Sequence, residues 1–208
     1  MTGVSLLSSA KESSASPRRP GQRLTKRDQL LETAWRLFYR DGYHATGIDR
    51  ILADAGVAKM TLYKHFRSKE ALILAVLEMR SEQFYESFSR FLRAKRRAPE
   101  RQVLSVFDWL ITWVSGKEFR GCFFQKAMAE YQNIHDPIHQ AALAHKAAFY
   151  GEIRRLVLAA GLVNPKALGE QLALLIEGAI VSSHATGSPT PAVQAKEAAR
   201  ALIKNAKR

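Results

Sequence analysis

Apolar residues recur every three or four positions along most of this chain, which is the spacing of amphipathic α-helices. Residues that cap or break helices divide this pattern into about nine segments. The predicted helices cover about 25–41, 46–55, 59–65, 68–92, 99–115, 121–132, 136–160, 164–186 and 190–204. No sustained alternation of period two and no Asn-Gly hairpin signal interrupts them, so the pattern predicts an all-α fold.

The segment from Thr46 to Glu70 has the pattern of a helix-turn-helix. One apolar face of its first helix is formed by Ile48, Ile51, Leu52 and Ala55. Gly56 then ends that helix, because glycine takes a left-handed cap conformation without steric cost. The second helix carries Lys59, Thr61, Tyr63, Lys64 and His65. Cationic, hydroxyl and aromatic side chains suit phosphates and base edges, so this second helix is the predicted reading element.

This segment resembles the DNA-binding signature of the TetR/AcrR family of bacterial transcriptional regulators, in the sequence AGVAKMTLYKHFRSKEAL. The positions in register are Gly42-Tyr43, Thr46, Ile51, Ala55-Gly56-Val57, Thr61-Leu62-Tyr63, His65-Phe66 and Ser68-Lys69-Glu70. The resemblance implies a helix-turn-helix DNA-binding domain at residues 24–68. It also implies a larger helical ligand-binding and dimerisation domain at residues 69–208. Residues 1–23, rich in Ser, Ala, Pro and Arg, are predicted to be a disordered basic tail.

The resemblance implies DNA contacts for a set of side chains around the reading helix. The predicted DNA-binding residues are Thr46, Lys59, Met60, Thr61, Tyr63, Lys64, His65 and Lys69. Thr46 is also expected to cap the second helix, together with Asp49. The alternative for Tyr63 and His65 is packing against the first helix. Ala58, Met60 and Leu52 differ from the residues usual in the family, which bears on base preference rather than on DNA binding itself.

The predicted eighth helix is apolar on nearly all sides, so more than one of its faces must be covered. By resemblance, its partner is the same helix of a second copy in a symmetric homodimer that reads a pseudo-palindromic operator. The predicted dimer-interface residues are Gln171, Leu174, Leu175, Gly178, Ser182, Ala195, Ala199 and Leu202. The alternative is that this helix is simply the core helix of a monomer.

A small-molecule cavity in the larger domain is a further expectation from the family. The candidate lining residues are Phe107, Trp109, Trp113, Phe124, Gln125, Met128, Tyr131, His145, Phe149 and Glu177. For each aromatic residue, ordinary core packing remains open. Glu177 needs a partner in such apolar surroundings, and the candidates are Arg154, Arg155, the second protomer or a cationic ligand.

Composition limits the remaining possibilities. A net charge of +13 favours a polyanionic partner, but residues 1–70 carry +6 and the rest +7, so charge alone does not locate the site.

The single cysteine, Cys122, excludes an internal disulfide. His135 and His139 lack an obvious third metal ligand, and Asp136 already fits a helix cap. We expect no metal and no cofactor. We also expect a cytoplasmic protein that does not associate with a membrane.

The combined prediction is a sequence-specific transcriptional regulator and not an enzyme. Its expected partners are double-stranded operator DNA, a small-molecule effector and a second copy of itself. The expected mode is repression, relieved when the effector binds. The alternative is a regulator that is independent of ligand or responds to oxidation of Cys122.

Overall fold

The computed structural model describes residues 25–95 and 98–207. Over these residues the chain forms nine α-helices and no strand, as predicted. The helices are α1 (Lys26–Asp41), α2 (Ile48–Ala55), α3 (Lys59–His65), α4 (Lys69–Ala94), α5 (Pro99–Val114), α6 (Phe123–Glu130), α7 (Pro137–Ala159), α8 (Pro165–Thr186) and α9 (Thr190–Asn205). The predicted tail at 1–23 lies outside the described residues.

Helix ends follow local sequence where a side chain supplies the missing hydrogen-bond partner. Thr25, Ser68 and Asp136 each accept a backbone N–H of the following helix, at 3.1, 3.1 and 2.7 Å. Gly56 caps α2 in the left-handed conformation, with φ of +60°. Gly56 and Asp136 confirm their predicted caps, and Thr25 and Ser68 stand at the predicted starts of their helices.

One predicted cap was wrong. Gly47, not Thr46, is the N-cap of α2. The Thr46 hydroxyl instead donates to the Gly42 carbonyl at 2.7 Å, because the turn after α1 brings these residues together. Asn164 is the N-cap of α8, which agrees with the predicted start at 164, although its φ is +49° and its side chain makes no capping hydrogen bond. Helix α6 is also shorter at both ends than predicted.

Helices α1 to α3 form a small unit around a shared apolar centre. Leu30, Phe38, Ile51 and Leu62 are fully buried, and each lies on the inward side of its helix. Helix α4 packs against α1, α5 and α7. It therefore joins the small unit to the larger bundle, in which α7 and α9 both pack on α5 and α8.

Candidate nucleic-acid interface and cavity

Helix α3 has one buried side and one side open to solvent. Leu62 is fully buried, whereas Met60 is 83% exposed and Tyr63 is 46% exposed. We call the outward set the reading face, which consists of Lys59, Met60, Thr61, Tyr63, Lys64 and His65. All of these are exposed except Thr61, which is half-buried. Because Tyr63 and His65 are exposed, they do not pack into the core beneath α1.

The turn between α2 and α3 fixes how the reading face is presented. Gly56 N–H bonds to Ala53 O at 3.3 Å, and Val57 N–H bonds to Leu52 O at 3.2 Å. Val57 and Phe66, which precede and follow Leu62 in the sequence, are buried like Leu62 itself. These contacts hold the short helix α3 on the unit, since seven residues alone would not form a stable helix.

Two other predicted DNA contacts differ in accessibility. The Lys69 ammonium is partly buried and donates to the His44 carbonyl at 3.3 Å, and burial lowers its pKa. The Lys69 ammonium group retains further N–H donors that a phosphate could accept. Thr46 is only 3% exposed, and its hydroxyl is already bonded to Gly42 O. The structure therefore argues against the predicted phosphate contact from the Thr46 side chain.

A carboxylate from the larger bundle fixes the turn that follows α1. Glu130, the last residue of α6, accepts the backbone N–H groups of Tyr43 and His44 at 2.9 and 2.7 Å. Gly42 lies so close that a Cβ there would stand 3.0 Å from the Glu130 carboxylate, and its φ is +96°. We call this the Glu130 junction, and sequence analysis did not find it.

Two tyrosines of the small unit extend the same connection. The Tyr43 hydroxyl donates to Phe123 O at 3.0 Å, and burial raises its pKa well above the usual value. The Tyr39 hydroxyl donates to Gly121 O at 2.9 Å and accepts Arg120 N–H at 2.8 Å. These bonds attach the end of α1 and the turn after it to α6 and the segment before α6.

A cavity of about 400 Å³ lies where α1, α4, α5, α6, α7 and α8 meet. Five of the predicted residues line it: Trp109, Trp113, Phe124, His145 and Phe149. The first and fourth helices also line the cavity, which the sequence pattern did not indicate, through Trp35, Tyr39, Arg80, Gln83, Phe84 and Ser87. Cys122 also lines it and is buried. The wall is therefore largely aromatic, with few polar groups, as is usual for small-molecule sites.

The other five predicted lining residues lie elsewhere, namely Phe107, Gln125, Met128, Tyr131 and Glu177. Phe107 is fully buried in the core, and Met128 packs partly buried against it. Tyr131 packs against the rings of Tyr43 and His44. Helical periodicity gave the buried side of each helix, but it could not tell which buried residues border empty space.

Glu177 pairs inside its own protomer. The Lys146 ammonium donates to its two carboxylate oxygens at 2.7 and 2.8 Å, and Gln125 donates to it as well. Lys146 is none of the candidate partners expected from the sequence, which were Arg154, Arg155, the second protomer and a cationic ligand. Lys146 itself is only 5% exposed, and its charge is balanced by this pair.

His145 is the most perturbed titratable group of the cavity wall. Its ring stacks on Phe124 with centroids 3.5 Å apart, and its Nδ1 lies 2.8 Å from Ser81 Oγ. Burial, assisted by the Lys146 charge, lowers the pKa of His145 to about 4. The imidazole is therefore neutral at pH 7. It can form hydrogen bonds in the cavity wall without placing a positive charge there.

The outer surface of α8 carries exposed apolar residues. Leu174 is 73% exposed and Val181 is 56% exposed. Gln171, Gly178 and Ser182 are exposed beside them, and Leu175 is partly buried. Among the α9 residues predicted for the interface, Ala195 and Ala199 are buried within the protomer, and Leu202 packs partly buried against its core. These three therefore contribute mainly to the protomer's own packing.

No group of three or more potential metal ligands occurs among residues 25–95 and 98–207. His139 Nδ1 lies 2.7 Å from Tyr131 O, and Asp136 caps α7. Within the same described part of the chain, no helix has the length and apolar character needed to cross a membrane.

Comparison with known proteins assigns both parts of the chain. Residues 30–76 match the family described as bacterial regulatory proteins, tetR family, and residues 99–199 match the tetracyclin repressor-like C-terminal domain. The fold is similar to the crystal structure of a TetR-family transcriptional regulator from Streptomyces coelicolor. That likeness has a TM-score of 0.82 and 32% identity, and covers 88% of this chain and 90% of the other.

Curated relatives match over shorter stretches. The HTH-type transcriptional activator FasR of Mycolicibacterium smegmatis is 39% identical over 98 residues, which is 44% of this chain and 45% of that protein. The HTH-type transcriptional repressor ComR of Escherichia coli is 30% identical over 98 residues, 47% of each. The chain thus spans less than half the length of these relatives. The family matches and the structural likeness together show that this chain belongs to the TetR family of transcriptional regulators.

Proposed function

We propose that this chain is a repressor that occupies an operator as a homodimer and leaves it when a small molecule enters the cavity. The observation that carries this proposal is the shared wall between cavity and DNA-binding unit. Trp35 and Tyr39 belong to α1, yet they line the same cavity as Trp109 and Phe149 of the bundle. A molecule in this space would contact both parts of the protein at once.

The proposed units are residues 24–68 for DNA binding and 69–208 for effector binding and dimerisation. Within the first, the reading face enters the major groove, with Lys59, Met60 and Thr61 nearest the bases. Tyr63, Lys64, His65 and Lys69 lie toward phosphates, which supply affinity rather than sequence preference. In the free protein Lys59 lies 3.5 Å from Asp49, an exposed pair weak enough to yield to a phosphate or base.

The proposed dimer forms through the exposed side of α8, where Leu174 and Val181 are the apolar centre. Two reading faces related by a two-fold axis bind a pseudo-palindrome with a fixed spacing. Release then needs a ligand that favours a dimer with a different spacing, because a ligand shifts a conformational equilibrium only by its differential affinity. The Glu130 junction is the proposed link, since it joins α6 of the cavity wall to the turn before α2.

Repression requires only that the bound dimer occlude a promoter. The named relatives include both an activator and a repressor, so the sign of regulation needs its own test. A reporter gene downstream of the operator should be silent with the protein and expressed without it. Higher expression in the presence of the protein would contradict the repressor assignment.

DNA binding is tested by selecting genomic fragments with purified protein and measuring affinity by gel shift. Lys64→Ala should weaken binding to all sequences and reduce the slope of log affinity against log salt by about one. Met60→Ala should change the preferred base at one position of each half-site. Lys117→Ala, an exposed lysine outside the reading unit, is the matched control. Failure to retain any specific duplex at moderate salt would contradict the proposed function.

A further inference from the structure

Arg80 is a cationic group of the cavity wall for which residues 25–95 and 98–207 supply no ion pair. It lies on α4 and is half-buried. Its Nη1 donates to Gln83 Oε1, and its guanidinium carbon lies 4.0 Å from the centre of the Trp35 ring. A guanidinium has five N–H donors, so these contacts use only part of its capacity.

The other charged groups around the cavity do not neutralise Arg80. Lys146 is paired with Glu177, and His145 is neutral at pH 7. Glu118 lies at the exposed edge. None of the carboxylates in the described part of the chain forms an ion pair with Arg80, although Glu32 attracts it from a greater distance.

Burial removes part of the water around the Arg80 guanidinium. Burial lowers the pKa of Arg80, but an arginine remains charged at any physiological pH. A partly desolvated charge without a counter-ion is costly, and a matching anion removes that cost. The planar guanidinium fits a carboxylate in a bidentate pair.

We propose that the cavity binds an apolar molecule carrying a carboxylate, and that the carboxylate pairs with Arg80. This inference rests on the proposed function, because it names the chemical class of the effector. The aromatic wall accommodates the apolar body, and about 400 Å³ falls within the range of small-molecule sites, about 300–1,000 Å³.

The position of Arg80 also connects the ligand to DNA binding. Trp35 lies on α1 of the DNA-binding unit, and its ring now faces the guanidinium. A carboxylate can pair with the remaining N–H edge of the guanidinium while Trp35 packs against its face. The ligand would therefore bind beside a contact between α1 and α4, the two helices that connect the reading unit to the bundle.

The binding experiment uses the full chain and two probe series with fixed apolar bodies. One series is 4-phenylbutanoate, 4-phenylbutan-1-ol and 4-phenylbutylamine, and the other is decanoate, decan-1-ol and decylamine. All three tryptophans of the chain, Trp35, Trp109 and Trp113, line the cavity, so quenching of their fluorescence reports occupancy. In at least one series the acid should bind at least about tenfold more tightly than the alcohol, and the amine more weakly still.

Variants separate a charge effect from a packing effect. Arg80→Met keeps the length of the side chain and should abolish the preference for the acid. Arg80→Lys should retain a reduced preference, because it keeps the charge but loses the bidentate geometry. Arg93→Met changes an exposed arginine of the same helix and should behave as wild type. The comparison of acid, alcohol and amine is made on the wild-type protein, so it does not depend on whether a variant folds.

Three results would overturn the assignment. The first is that acid, alcohol and amine bind the wild type with equal affinity. The second is that the Arg80→Met variant still prefers the acid. The third is that neither acid binds the wild type. Operator affinity measured on the same preparations tests the proposed function separately. An acid that binds through Arg80 without releasing operator supports the ligand class and contradicts the release mechanism. Release by the alcohol or amine alone supports the release mechanism and contradicts the ligand class.

Discussion

The reading face and the cavity wall use similar side chains in opposite environments. Lys64 and Tyr63 of α3 extend into solvent, whereas Arg80 and Tyr39 are held against other rings at the cavity. One helix supplies the reading face, but six helices supply the cavity wall. A surface that faces outward depends on one helix and its support, while an internal space depends on every element around it.

The largest expected effect comes from the buried side of α3. Leu62→Ala should lower the free energy of unfolding by about 2–5 kcal/mol, because it removes a fully buried side chain from a small core. Met60→Ala, two positions away and 83% exposed, should change it by less than about 0.5 kcal/mol. Urea denaturation followed by circular dichroism measures both. Similar losses for the two variants would mean that α3 has no distinct outward face.

The next effect concerns the outer side of α8. Leu174→Glu should weaken dimerisation at least about 100-fold, because the symmetric interface buries the charge twice. Analytical ultracentrifugation measures the dissociation constant. Leu158→Glu alters a similarly exposed leucine of α7 and should leave the dimer intact. A Leu174→Glu protein that remains dimeric would place the interface elsewhere.

A smaller effect is expected at the Glu130 junction, which connects the two regions. Glu130→Gln should lower the free energy of unfolding by about 1–2 kcal/mol, because two backbone N–H groups lose a charged acceptor. It should also reduce the change in operator affinity caused by an effector. Glu197→Gln removes an exposed carboxylate of α9 and serves as the control. Unchanged coupling in Glu130→Gln would show that the signal travels by another route.

The last effect, similar in size to that at the Glu130 junction, concerns pH. The pKa of His145 is lowered from 6.5 to about 4, so the unfolded chain binds its proton more readily than the folded chain. Stability should therefore fall as pH decreases from about 6.5 to about 4, by an amount on the order of 1–2 kcal/mol once solvent screening is allowed for. His145→Phe should lose this part of the pH dependence. Parallel curves of unfolding free energy against pH for the two proteins would contradict the assignment.

Much of the fold follows from local sequence. The spacing of Ile48, Ile51 and Leu52 identified α2, and Gly56 identified its end. Thr25, Ser68 and Asp136 capped the predicted helices because their partners lie two or three residues along the chain. The correction at Thr46 came from turn geometry, in which the nearby Gly42 carbonyl accepts the hydroxyl that was expected to cap α2.

The candidate cavity was only partly predictable. Trp109, Trp113 and Phe149 were identified because they are aromatic and lie on buried helix faces. Arg80 was missed, since an arginine in the middle of an amphipathic helix normally indicates a solvent-facing position. Glu130 was missed for a similar reason, because its two donors, Tyr43 and His44, are more than 80 residues away in sequence.

The sequence by itself determined the helices, the helix-turn-helix and the residues that α3 turns outward. Only the tertiary structure decided that Arg80 faces Trp35, that Glu177 pairs with Lys146, and that Glu130 fixes the turn after α1. Periodicity and capping depend on neighbours a few residues apart, so the chain carries them locally. Partnerships between distant side chains depend on how whole helices pack, and no local pattern records that.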